Sequence, residues 1–459
     1  MSNLCPLDGR YQLQTQALCQ AMGEHAFASA RVRTEIAWLI QLAALKLFPL
    51  SAADKKILTD LLPLSDADIS LISRIETEGY KQIPATRHDV KAIEYFLRLK
   101  LAKTPLKNRL NWIHFSLTSE DINSVSYAQL LAQGIEKSVL PSLENIRKAL
   151  AQLARKEKDS FLLARTHGQP AVPTTFGKEL RVFETRLARQ IAHLKKQQIS
   201  CKFGGAVGNF NAHYAAFPSV NWLRAAQQVV QSFNKNRRMK LFLNPVTTQI
   251  DHRDTYAELF DNLRRIHVIL LDASRDMWQY ISAGLVHQKA IAGEVGSSTM
   301  PQKVNPIDFE NAEGNLQLSN ALLTLLAEKL PVSRLQRDLS DSTVLRNMGV
   351  ALGYGVVAYD SFLKGLCKIA FDRQAALQEL AQHPEVLAEG IQTILRAEGF
   401  ENPYETLKNF TRGRRITHEL LQQFIDSLPV QATVQKRLKK LTLTNYTGLA
   451  PRLAEGKYD

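Results

Sequence analysis

Four segments of this 459-residue chain carry residue types that a helical bundle does not need. The first is GSSTMPQKVNP, residues 296–306. Its glycine and serines offer a mobile loop with backbone donors, and Lys303 adds a fixed positive charge. A loop of this kind can close over a carboxylate and exclude water. The second is THGQP around His167, where Gly168 and Pro170 break a helix and hold the ring at a turn. An imidazole placed there can keep a proton near neutral pH and release it. The third is Arg87-His88-Asp89, which sets a guanidinium, an imidazole and a carboxylate side by side. The fourth is RDLSDSTVLR, residues 337–346, in which Ser342 and Arg346 stand four apart and can share one helical face. Singly, each has a plainer reading: an exposed connection, a structural histidine or solvated charges.

The elements that must position these segments read as helices. Apolar residues recur at helical spacing over 23–47, 138–158, 256–285 and 342–369. The stretch 177–199 places Leu180, Val182, Phe183, Leu187, Ile191 and Leu194 on or near one face. A further helix starts at Asn305-Pro306, with Asn as cap, Pro at the first helical position and Asp308 in the first turn, and runs to Lys329. No long run alternates with period two, so strands can only be minor. The expected fold is all-α, an extended bundle of long helices. Three domains are expected: a helical domain at 1–108, a long-helix bundle at 109–367 and a small helical domain at 368–459. The segment 106–115 reads as a hinge into the bundle, 368–374 as a passage out of it, and 234–240 (NKNRRMK) as a basic loop.

Composition excludes several classes. Hydrophobic residues make up 45% and charged residues 22%, which is ordinary for a packed protein and not for a disordered one. No apolar stretch reaches the ~18 residues of a membrane-spanning helix. The opening MSNLCPLDGRYQLQTQ lacks a basic segment followed by an apolar one, so a cytoplasmic protein is expected. Cys5, Cys19, Cys201 and Cys367 are scattered, which argues against a zinc site or a disulfide framework. The formal net charge of +14 points to anionic partners, from nucleic acid to small acidic substrates.

The loop at 296–306 resembles the GSSxMPxKxNP signature of the fumarase/aspartase superfamily. Two further regions are similar to that superfamily: SLTSEDIN at 116–123, with Thr-Ser before an acidic pair, and ARTHGQPAVPTTFGKE at 164–179. GGAVGNFNAH at 204–213 fits its bend after the second long helix. Within the superfamily the chain resembles, over its whole length, the longer bacterial form of the branch that acts on adenylosuccinate. PLDGRY near the start, TRHDVKAIEYF at 86–96, NPVTTQI at 244–250, LPVSRLQRDLSDSTVLRN at 330–347 and STMPQKVNPIDFENAEGN carry that likeness.

The resemblance implies an all-α homotetramer in which three subunits build each site. It implies a C–N lyase that eliminates fumarate from adenylosuccinate and from SAICAR, with no metal and no redox cofactor. Ser297 is implied as the base, its alkoxide stabilised by backbone N–H groups and Lys303. His167 is implied as the acid, with Glu310 orienting its ring. Arg10 and Tyr11 would contact the nucleotide, and Arg87, His88 and Asp89 would lie near the phosphate. Thr118, Ser119 and Ser298 would bind a succinyl carboxylate, Lys303 and Asn305 the fumarate portion, and Gln249 the substrate more generally. Asn311 would lie near the purine, and Arg337, Ser342, Thr343 and Arg346 near phosphate and ribose. Many relatives have Asn at the position of Arg87 and His at that of Gln302. His114 reads as a scaffold residue.

Two other readings are open at this point. Another fumarate-releasing lyase of the superfamily, such as argininosuccinate lyase, would leave Arg10, Arg87, Arg337 and Arg346 without a phosphate to share. A basic helical nucleic-acid-binding protein would use the clusters at 235–240, 412–415 and 436–440, but no helix-turn-helix, zinc-finger or aromatic-basic stripe accompanies them.

Overall fold

The computed structural model of the chain describes residues 4–289, 300 and 302–458. It is dominated by helices; the strands among the described residues form three two-stranded sheets. Among the described residues, no helix is long and apolar enough to cross a membrane. The chain divides into two compact units. Met1–Glu144, Gln190–Val268 and Gly314–Asp360 form the first; Asn145–Arg189, Ile269–Glu313 and Ser361–Asp459 form the second.

In the first unit, helix Ser119–Gly134 is buried on nearly every side and carries apolar and small residues around its whole circumference. A helix of that kind is a core element. It packs on helix Glu24–Ala44, whose Trp38 is fully buried against Phe203 and Trp222. The Trp38 indole N–H is satisfied by the Phe115 carbonyl at 2.9 Å. Asp121 ties down the start of Ser119–Gly134. Its carboxylate accepts from the backbone of Thr118 at 2.8 Å, Gly204 at 2.7 Å and Gly205, and it pairs with the fully buried Lys202 at 2.7 Å. That knot fixes the bend at 204–213 against the helix N-terminus.

The second unit contains the strands β1 (Phe161–Thr166) and β2 (Gln169–Thr175), paired antiparallel. His167 therefore lies at a hairpin tip and not at a break between helices, as the sequence reading had it. Thr166 faces Gln169, which leaves a two-residue loop, and both His167 and Gly168 have positive φ (53° and 75°). Strand twist favours this mirror-image turn, and Gly at its second position removes the Cβ penalty. The C-terminal helices enclose their own core of Leu387, Ile391, Leu395, Leu421, Ile425 and Leu438.

Most expected helices are present. The stretch 138–158 is helix Leu140–Lys156, preceded by a π turn at Ile135–Val139. Helices Phe176–Lys196, Asp254–Ser282 and Ile307–Lys329 match their expected positions. Three details differ. Val182 is 40% exposed, off the buried stripe of Leu180, Phe183, Leu187, Ile191 and Leu194. The helix expected at 342–369 is two, Ser340–Leu345 and Met348–Lys368, interrupted at Arg346-Asn347. The basic loop at 234–240 is anchored: Arg237 donates to the Gln129 carbonyl at 3.1 Å, and Met239 is buried.

Candidate active site

The first unit gathers most of the residues singled out for substrate binding. His88 caps helix Asp89–Leu101, its Nδ1 accepting from the Lys91 backbone at 3.3 Å. In the neutral ring the proton therefore resides on Nε2, which lies 3.2 Å from Ser119 Oγ and donates to it. Asp89 accepts from Arg31 and from Arg346 Nη2 at 3.3 Å. Burial pushes the Asp89 carboxyl up, but the Arg31 charge and further hydrogen bonds outweigh it and hold the group below the usual carboxylate range. Arg87, beside this pair, has φ of 49° and an exposed side chain.

Gln249 links two further segments. Its Nε2 donates to the Ala206 carbonyl at 3.0 Å, and its Oε1 accepts from Arg337 Nη1 at 3.2 Å. Ser342 Oγ donates to the Leu339 carbonyl at 3.0 Å, and Thr343 is exposed one residue on. Arg10 and Tyr11 sit on the turn that enters helix Gln12–Met22. The preceding residues Cys5, Leu7 and Asp8 share a cavity of about 380 Å³ with Arg346.

Beneath this cluster lie residues that the sequence reading did not single out. Glu120, Arg253 and Asp341 are each no more than 2% exposed. Arg253 Nη2 is 2.6 Å from Glu120 Oε1, and its Nη1 is 3.0 Å from Asp341 Oδ2. Arg337 Nη2 completes the set at 3.2 Å from Glu120 Oε2. Burial opposes the Arg253 charge, but Glu120 and then the other nearby anionic groups hold its pKa above the ordinary value. The acidic pair in SLTSEDIN was the visible signal for Glu120. Nothing in the sequence distinguished Arg253 from a surface arginine.

The second unit holds the residues singled out for proton transfer, and they are differently placed. His167 is exposed at the hairpin tip. The adjoining strand is braced by Arg165, which pairs with Glu379 and donates to the Gly168 carbonyl at 3.3 Å. Glu310, in the first turn of helix Ile307–Lys329, accepts from the Trp278 indole at 3.0 Å. Among the described residues no hydrogen bond or ion pair joins His167 to Glu310. Asn311 Oδ1 accepts from Ser361 at 2.7 Å. Lys303 is exposed, and Asn305 is half-buried before the helix. Ser297 and Ser298 lie outside the described residues. His114, read as scaffold, is tied to Glu35 at 2.6 Å.

Comparison with known proteins matches this chain to a family. Residues 9–319 fit the family model described as Lyase, and residues 333–447 fit the one described as Adenylosuccinate lyase C-terminal. The chain is 45% identical to the adenylosuccinate lyase of Vibrio cholerae over 99% of its own length and 98% of that protein. It is 46% identical to that of Escherichia coli over 98% and 97%, and 43% identical to that of Dictyostelium discoideum over 98% and 97%. The chain belongs to the adenylosuccinate lyase family. The fold is shared more widely. A fumarate lyase from Mesorhizobium sp. BNC1 superposes with a TM-score of 0.75 at 18% identity, over 96% of this chain and 97% of that one. A 3-carboxy-cis,cis-muconate lactonizing enzyme from Pseudomonas putida does so at 0.71 and 19%, over 98% and 97%.

Membership in the adenylosuccinate lyase family makes the chain a C–N lyase acting on a small molecule. For the charge, it favours a small acidic substrate over the alternative of nucleic acid. Several residues of the basic clusters are in any case partnered: Arg437 with Glu398, Lys439 with Asp426 and Arg237 with Gln129.

Proposed function

We propose that the chain releases fumarate from adenylosuccinate to give AMP, and from SAICAR to give AICAR, by anti β-elimination. The observation that carries this reading is a set of three side-chain pairs in the first unit, Arg337 with Gln249, Arg346 with Asp89 and His88 with Ser119. Such a set suits a ligand bearing a phosphate and two carboxylates. Two arginines offer forked donors for anions, and Ser119 and Gln249 offer neutral hydrogen bonds.

In the proposed reaction Ser297 removes a proton from the carbon beside one succinyl carboxylate. Negative charge develops on that carboxylate, where Lys303 and the loop backbone would stabilise it. The C–N bond then breaks, its electron pair stays on nitrogen, and His167 supplies the proton that nitrogen needs. Glu310 would orient the imidazole and favour its protonated form. Thr118, Ser119, Ser298 and Asn305 would hold the succinyl portion. Arg10, Tyr11, Arg87, His88, Asp89, Asn311, Arg337, Ser342, Thr343 and Arg346 would hold the nucleotide. No metal or redox cofactor takes part.

His167 and Glu310 would meet in a homotetramer, where different copies of the chain supply them. Supporting that assembly, Val268, Leu318 and Leu325 are 53%, 52% and 50% exposed on long helices. The division into 1–108, 109–367 and 368–459 and a cytoplasmic location belong to the same proposal.

The test is an absorbance assay with adenylosuccinate that also identifies fumarate among the products. Turnover of argininosuccinate or malate in place of adenylosuccinate would overturn the nucleotide reading. An active monomer on gel filtration would overturn the tetramer.

A further inference from the structure

We propose that Glu120, Arg253 and Asp341 are positioning residues: with Arg337 they close a buried ring of alternating charge that presets the Arg337 guanidinium for the substrate. The inference rests on the reading of Arg337 as a residue that holds substrate. Three observations support it.

First, exposure separates the members. The side chains of Glu120, Arg253 and Asp341 are 2%, 1% and 1% exposed, and that of Arg337 is 19% exposed. Only Arg337 can reach a ligand. Second, each hidden member belongs to a segment that carries a candidate contact. Glu120 follows Ser119, Asp341 precedes Ser342, and Arg253 lies one short turn beyond Gln249. Fixing the ring therefore fixes the mutual register of three binding segments. Third, the orientation of Arg337 is over-determined. Its Nη2 faces Glu120 at 3.2 Å, its Nε faces Asp341 Oδ1 at 4.0 Å, and its Nη1 donates to Gln249 at 3.2 Å. The Nε and Oδ1 atoms are both buried and, among the described residues, neither has a hydrogen-bond partner, so this fourth side of the ring is closed by charge alone.

Charge explains why Arg253 is needed. Arg337 with two carboxylates alone would be a net negative site and would repel a phosphate or a carboxylate. Arg253 brings the ring to neutrality, so the carboxylates can orient Arg337 without repelling its ligand. A guanidinium suits this place because its planar fork spans two acceptors at once, which an ammonium cannot do.

The experiment is steady-state kinetics with adenylosuccinate on Glu120→Gln, Arg337→Ala and the double variant, with thermal melting of each. Glu120→Gln removes a negative charge, so a purely electrostatic role would lower KM. Positioning requires the opposite: KM rises about tenfold, with kcat nearly unchanged. The double variant should match Arg337→Ala alone, because the effect of Glu120 passes through Arg337. An unchanged or lowered KM in Glu120→Gln, or multiplied losses in the double variant, overturns the inference while leaving the role of Arg337 intact. An unchanged KM in Arg337→Ala overturns both. Should Glu120→Gln fail to fold, Asp341→Asn is read by the same criteria.

Discussion

The two units hold their functional candidates in opposite ways. In the first, Arg337 and Ser119 stand over a floor of buried ion pairs, and His88, Asp89, Ser119, Gln249, Arg337 and Arg346 are each tethered to another segment. In the second, His167 projects from a two-residue hairpin tip and Lys303 from an exposed connection. The difference suits the two proposed tasks. Recognition of a multiply charged ligand requires several groups in fixed register, and buried charge networks supply that at a cost in desolvation. Proton transfer requires one group that can approach, act and withdraw, and a loop or hairpin tip permits it.

The comparison breaks first on chemistry. His167→Ala and Ser297→Ala should each lower kcat by about 10²–10⁴-fold while leaving the melting temperature nearly unchanged. His167 is exposed, so its loss removes little packing. A near-normal kcat in either variant would remove that residue from the mechanism. Arg253→Ala should do the reverse. It takes the 3.0 Å partner from buried Asp341 and leaves buried Glu120 with Arg337 alone, and should cost about 3–5 kcal/mol in urea unfolding. A loss below ~1 kcal/mol, the scale of a surface pair, would mean the ring does not hold the first unit together.

Arg346→Ala sharpens the comparison further. This residue is exposed but braced by Asp89, so its loss should leave stability nearly intact and raise KM for adenylosuccinate roughly tenfold. An equal loss on a dephosphorylated analogue would refute its phosphate role.

A pH-dependent effect comes from buried histidines of the first unit. His213 and His267 are 0% and 1% exposed, and burial lowers each to about 4. Among the described residues, neither ring nitrogen of His213 has a hydrogen-bond partner. An unfolded chain takes up these protons from about pH 6.5 downward, whereas the folded chain waits until about 4. Stability is therefore complete above that window and declines as pH falls through it, by up to about 1.4 kcal/mol per unit for each ring. His213→Phe should flatten the decline measured by urea midpoints between pH 7 and 5. His114 acts on the other side. Despite burial, its pairing with Glu35 raises its pKa, so its contribution is whole below about 6.5 and is lost as pH rises through the raised value.

Much of the fold was legible in the sequence because long amphipathic helices announce themselves by period. The hairpin around His167 was not. Its strands are short, Leu162 and Leu163 are both buried where alternation would separate them, and Pro170 and Pro173 lie within β2. The break at Arg346-Asn347 was hidden because neither residue is a helix breaker. Motif-bearing residues such as Gln249 and Arg337 could be named from their strings, and the structure joins several of them. Glu120 and Asp341 lay inside such strings but were not singled out, and Arg253 lay outside them, since a charged residue in a sequence reads as solvated until its neighbours are known.

The dryness of that ion ring has a consequence for ionic strength. Mobile ions screen charges that water reaches, over about 8–10 Å at ordinary salt, and barely screen those it does not. Arg87 and Arg346 stand in solvent, whereas the ring beneath Arg337 is sealed. Added salt should therefore slow capture of an anionic substrate, seen as a falling kcat/KM. The geometry of the occupied complex, and with it kcat, should stay almost constant. The molecule thus separates a salt-sensitive approach from a salt-indifferent grip.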